Sequence, residues 1–157
     1  MPPYKKREIE VNTLHIRKLG IEDADNVRRI FSALNKSNVS IDYPQLIQEK
    51  VSREEDINIV AEIDGKAVGF MFCEIISGGF GLLEESAWIV MFGIDPNFMG
   101  QGIGKRLAEE IFSLCIKKGI RKIYSSVRWD SVDLLSFFKT LGFDRSNFIN
   151  LEKKLEL

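Results

Sequence analysis

One stretch constrains this chain more than any other. Residues 87–94, Ala-Trp-Ile-Val-Met-Phe-Gly-Ile, form an apolar run of strand length that stops at Asp95-Pro96. Glycines at alternate positions, Gly100, Gly102 and Gly104, then open an amphipathic helical pattern. The predicted order is a strand, a turn, and a helix whose N-terminus is bare.

Such a junction favours an anion. The first turn of a helix carries N–H groups without intrahelical acceptors, and the aligned peptide dipoles add partial positive charge there. Glycines remove the Cβ atoms that would hold a ligand away, and they permit the positive φ angles that fold amides into a concave cradle. A phosphate or diphosphate fits such a cradle. Lys105 and Arg106 follow at once, the wrong sign for the start of a helix but the right sign for phosphate oxygens. Gly100-Gln101-Gly102-Ile103-Gly104 is not the G-x-G-x-x-G dinucleotide fingerprint, because its third glycine comes one residue early, and no G-x-x-x-x-G-K-[ST] is present. The bland alternative is a glycine-rich turn with no ligand.

Composition narrows the class further. A chain of 157 residues, 45% hydrophobic, suits one compact domain with a real core, expected over 13–157 behind a flexible tail at 1–12. With 22 basic and 23 acidic residues the net charge is −1, so no global field draws the protein to nucleic acid or an anionic membrane. No apolar run approaches the roughly 20 residues of a membrane span, and residues 1–7 lack the apolar segment of a signal peptide, so cytoplasmic residence is expected. Cys73 and Cys115 read as small buried residues rather than a disulfide scaffold. The single histidine, His15, alternates as a solvent-facing strand residue, and no Cys/His cluster offers a metal site.

In chain order, 14–19 alternates as a strand, and Ala24, Val27, Ile30, Phe31 and Leu34 recur at helical spacing. Residues 35–55 are less regular and hold a short second helix. The runs 57–63 and 67–76 flank Asp64-Gly65, a tight hairpin signal. A flexible loop at 77–86 leads into the strand 87–94. Ile103, Leu107, Ile111 and Leu114 mark a helix ended by Gly119, followed by a strand at 122–127. A helix over 131–141 and short strands at 143–147 and 148–155 complete the pattern. The predicted class is α/β, a mixed sheet of about six or seven strands with about four helices, the strand–helix–strand run making a parallel crossover.

Met99-Gly100-Gln101-Gly102-Ile103-Gly104, with Phe137-Phe138-Lys139-Thr140-Leu141-Gly142-Phe143 further on, resembles the GNAT superfamily of N-acetyltransferases over 13–155. In that family the first motif reads Q/R-x-x-G-x-G/A and binds the diphosphate of acetyl-CoA; here Met99 replaces the leading Gln/Arg. The resemblance implies acetyl-CoA as co-substrate, held by Met99, Gly100, Gln101, Gly102, Ile103, Gly104 and Lys105. It also implies a sheet splayed at a central parallel pair, where the pantetheine arm pairs with the main chain of Phe92, Gly93 and Ile94. Gly93 is the natural place for a bulge or a close ligand approach; the alternative is a glycine chosen for packing. Residues 35–55 and 77–86 would shape the acceptor site.

The family's usual reaction is direct attack of an amine on the thioester. Two residues depart from its pattern: the common tyrosine acid is Phe138, and the asparagine at the start of that helix is Ser131, kept here as a CoA-contact candidate. Phe138 packs against either the thioester end of CoA or the core. Water, Ser131 or Tyr124 would then protonate the leaving sulfur. Glu85, just before the key strand, and Glu74, a lone charge in an apolar strand, are candidate bases; the plain alternatives are a solvated loop residue and a strand-end residue. The expected activity is acetyl transfer to a primary amine of a small molecule or protein, by a monomer or homodimer that uses no metal and binds neither nucleic acid nor membrane. The competing readings are a non-catalytic acyl-CoA-binding module and a nucleotide-binding α/β domain.

Overall fold

The computed structural model describes residues 13–35, 40–78 and 84–156. The predicted tail at 1–12 and the middle of the loop expected at 77–86 lie outside these. Among the described residues the chain divides into two compact units, 1–126 and 127–157.

The first unit is built on a sheet of strands β1 (Leu14–Lys18), β2 (Ile57–Ile63), β3 (Lys66–Ile76), β4 (Ser86–Ile94) and β5 (Ile123–Ser125). They lie in the order β1-β2-β3-β4-β5, antiparallel as far as β4 and parallel between β4 and β5. Asp64 at φ 50° and Gly65 at φ 76° make the turn between β2 and β3. Two consecutive positive φ angles match the right-handed twist of the flanking strands, which is why Asp-Gly occurs there.

Helices cover both faces. Phe70 and Phe72 of β3 point one way, into a core with Val27 and Ile30 of α1 (Ala24–Leu34) and Tyr43 and Ile47 of α2 (Tyr43–Ser52). A Cβ added to Gly69 would point the other way, to within 3.2 Å of Ile103 in α3 (Ile103–Lys117). Leu107, Ala108 and Ile111 of α3 are fully buried on that side. With no wet face, β3 reads as an unbroken apolar run rather than an alternation. A hydrogen bond to Cys115 of α3, with burial, pushes the Cys73 thiol up from its ordinary value. Both cysteines are buried and free, and His15 is exposed on β1, as expected.

Buried charge fixes the first crossover. Asp23, 2% exposed, receives two hydrogen bonds of 2.8 Å from the Arg17 guanidinium and a third from Gly20 N–H. Gly119, at φ 77°, ends α3, with Ile120 N–H donating to Cys115 O at 2.9 Å. That six-to-one bond closes a helix C-terminus only when the penultimate residue is left-handed.

The second unit holds α4 (Val132–Thr140), ended in the same way: Gly142 has φ 91°, and Phe143 N–H donates to Phe138 O at 3.1 Å. Here the expected strand count is corrected. No strand forms over 143–156, so the described residues give five strands rather than six or seven. Ile149, Leu151 and Leu155 are exposed. Alternation makes a segment able to be a strand, but main-chain pairing to a neighbouring edge makes it one.

Candidate functional site

Everything that β4 presents follows from where its two neighbours let go. On the β3 side Phe72 pairs with Met91 and Cys73 with Ile89, so Val90 is an extra residue, a bulge. On the other side β5 pairs with β4 only at Ala87, Trp88 and Ile89. The parallel pair therefore parts at the bulge, and 90–94 runs on with β3 alone. This is the splay that the family resemblance implied.

Antiparallel alternation shows which main-chain groups face the gap. Asp95 N–H donates to Val68 O at 2.8 Å. Counting back by twos, Gly93 turns its main chain toward Phe70 of β3, while Phe92 and Ile94 face the side that β5 has left. The bulge expected at Gly93 lies at Val90 instead. A Cβ on Gly93 would come within 3.0 Å of Ile30 and 3.1 Å of Leu34 and Phe70. The missing side chain lets α1 lie close on the sheet, the packing alternative.

Beyond β4 the chain turns through a 3₁₀ segment, Pro96–Phe98, and an extended Met99. Gly100 at φ 76° and Gly102 at φ 78° are both left-handed, and Gly102 is the N-cap of α3. No side chain caps that helix, and its first turn contains no acidic residue. A Cβ at Gly102 would meet nothing within 4 Å. The amides of Ile103, Gly104 and Lys105 thus sit at the positive end of a 15-residue helix, beside open space. Alternating left- and right-handed residues give the concave amide geometry that holds anions. Lys105 is exposed, with its ammonium 3.9 Å from Glu109.

One buried carboxylate anchors the turn leading into this cradle. Asp95, 2% exposed, accepts from Asn97 N–H at 2.9 Å through Oδ1 and from Arg29 of α1 at 2.5 Å through Oδ2. Arg29 was not singled out from the sequence, because its partner lies 66 residues away; a lone acid at the end of an apolar strand is the only signal.

A second cluster lies across β3, β4 and β5. Glu74 is directly opposite Trp88, which is opposite Tyr124. The two rings stack with centroids 4.7 Å apart at 23°, and Trp88 Nε1 donates to Ser86 Oγ at 3.0 Å. Glu74 is held by the Lys50 ammonium of α2 at 2.8 Å. Glu85 is exposed, touched by the Ser77 hydroxyl at 3.3 Å, and precedes the bulge by five residues. That separation is about 16 Å along a strand. Phe138 and Ser131 belong to the second unit. There Phe138 is buried edge-on against Phe143 (5.0 Å, 75°) and Phe137 (5.6 Å, 64°), and the Ser131 side chain makes no cap to α4. Among the described residues no three His, Cys, Asp or Glu side chains gather as a metal site, and no helix is long and apolar enough to cross a membrane.

A mixed sheet splayed at one parallel pair, with an uncapped helix start at the end of the same strand, defines the class of this α/β fold. The family follows: a model described as the acetyltransferase (GNAT) family matches residues 24–143, and the chain belongs to that family of acetyltransferases. Similar in sequence is an acetyltransferase of Pectobacterium atrosepticum, 29% identical over 109 residues, which are 69% of this chain and 72% of the relative. Similar in structure is an aminoglycoside acetyltransferase from an uncultured soil metagenomic sample, solved with trehalose, at TM-score 0.76 and 19% identity, covering 93% of this chain and 99% of that one. A possible acetyltransferase from Clostridium difficile 630 has a TM-score of 0.79 at 15% identity, covering 92% and 99%. The aminoglycoside N-acetyltransferase AAC(6')-Iy, solved with CoA, has a TM-score of 0.75 at 18% identity, covering 90% and 94%.

Proposed function

We propose that this protein transfers the acetyl group of acetyl-CoA to a primary amine of a small molecule or protein, by direct attack of the amine on the thioester. The observation that carries the reading is the pairing of two features on one strand: β4 loses its parallel neighbour after Ile89, and the chain leaving β4 forms the bare, glycine-lined start of α3. The diphosphate sits on the amides of Gly102, Ile103, Gly104 and Lys105, with Met99, Gly100 and Gln101 forming the rim. The pantetheine arm runs antiparallel to the cradle's approach, using the main chain of Phe92 and Ile94 as a strand would; Gly93 serves it by holding α1 close. The family match runs unbroken from 24 to 143, which supports one acetyltransferase domain over 13–157.

Orientation is the main contribution of such a site, and main-chain N–H groups at the bulge polarise the thioester carbonyl. Glu74 is the carboxylate we assign to accept the amine's proton through water, because it shares a row with Trp88 next to the splay, whereas Glu85 lies at the far end of the strand. Phe138 has no proton to give. A thiol of pKa about 8.5 leaves tolerably as thiolate, so the loss stays near the low end of the 10²- to 10⁴-fold typical of general acids. Two buried free thiols are in keeping with a cytoplasmic setting.

The test is thiol release from acetyl-CoA by purified protein across a panel of amines, beginning with aminoglycosides because two of the similar structures carry that name. Amine-dependent release is the expected result. The sealed Phe138 favours one other reading, a non-catalytic acyl-CoA-binding module; tight CoA binding with no turnover across the panel would establish it instead.

A further inference from the structure

The turn that leads into the cradle is tied to α1. Asp95 commits every polar group it has: N–H to Val68 O at 2.8 Å, carbonyl to Phe98 N–H at 2.8 Å, one carboxylate oxygen to Asn97 N–H and the other to Arg29. Its side chain is 3% exposed, and among the described residues Arg29 is the cation that meets it, so its charge depends on that guanidinium. Arg29 also donates to Ala67 O at 3.2 Å and Asn26 Oδ1 at 3.4 Å, while its Nε is buried with no partner. One guanidinium thus joins α1, the start of β3 and the turn between β4 and the cradle.

We propose that Arg29 is a positioning residue: through Asp95 it fixes the turn 95–99, and with it the angle at which the amides of 100–105 meet the CoA diphosphate. This rests on the assignment of the cradle to CoA. The turn has few other restraints, since Pro96 gives no N–H and Gly100 and Gly102 allow the loop beyond it many conformations. Without the pair, those amides reach their binding geometry only part of the time, and apparent affinity falls by that fraction.

Calorimetric CoA affinity and steady-state kinetics on Arg29→Met, Asp95→Asn and the double variant test this. Each single change should weaken CoA binding and raise the KM for acetyl-CoA by about 10-fold with kcat changed less than about twofold, and the double variant should be no worse than the poorer single. Arg29→Lys should recover most of the affinity, and Arg28→Met, an exposed neighbour, should bind as wild type. Arg29→Met or Asp95→Asn with a lowered melting temperature but wild-type CoA affinity would show a merely structural pair and overturn the proposal. If Arg29→Met fails to fold, Asp95→Asn decides alone, since it keeps the bulk and the Asn97 cap. Wild-type protein that binds no CoA would instead overturn the cradle assignment itself.

Discussion

Gly102 lies at φ 78° with open space where its Cβ would point, so its substitution separates backbone strain from ligand repulsion. Asp and Asn tolerate the left-handed region about equally and both cap helices well. Gly102→Asp adds a negative charge that suits the helix but meets the diphosphate; Gly102→Asn adds the same bulk without it. We expect calorimetry to show CoA binding lost by more than about 100-fold with Asp and by about 10-fold or less with Asn; equal losses would place the diphosphate elsewhere. The cradle glycines were legible because three at alternate positions before an amphipathic pattern have few other uses. Gly93 was not, since its reason lies on α1: Gly93→Ala should destabilise the fold by about 1–3 kcal/mol in urea titration by crowding Ile30, Leu34 and Phe70.

At the level of elements, the charge on β3 binds a helix to the sheet. Lys50 of α2 is 12% and Glu74 27% exposed, between a surface and a buried pair. Lys50→Met should therefore cost about 2 kcal/mol by denaturant titration, less than a fully buried pair and more than a surface one. Glu74→Gln should lower kcat by about 10²-fold, while Glu85→Gln stays within about threefold of wild type. The sequence marks Glu74 as a lone charge in an apolar strand but does not name Lys50, 24 residues away on another element. On the opposite face, Cys73 has its thiol pushed up by its hydrogen bond to Cys115 and by burial, so it stays protonated and unreactive. Thiol reagents should label the two cysteines only after denaturation; prompt labelling of the native protein would contradict the packing of α3 on β3.

Across the whole molecule, β1 to β5 were readable because both faces of the sheet are covered, and α1 and α3 because each carries a clear apolar stripe. The C-terminal strands were misjudged for the opposite reason: alternation around Ile149 and Leu151 records a capacity to pair, and pairing depends on an edge that local sequence does not reveal. Ligand linkage follows from the same architecture. CoA at 100 times its dissociation constant should add about 2.7 kcal/mol of stability, a Tm rise of about 5–10 °C for a chain of this size. The most direct measurement is a crystal structure grown with CoA. The diphosphate should lie within hydrogen-bond reach of the amides of Gly102 to Lys105, with the pantetheine arm along Phe92 and Ile94. A diphosphate bound elsewhere, or a gap beside β4 left without the arm, would contradict the account.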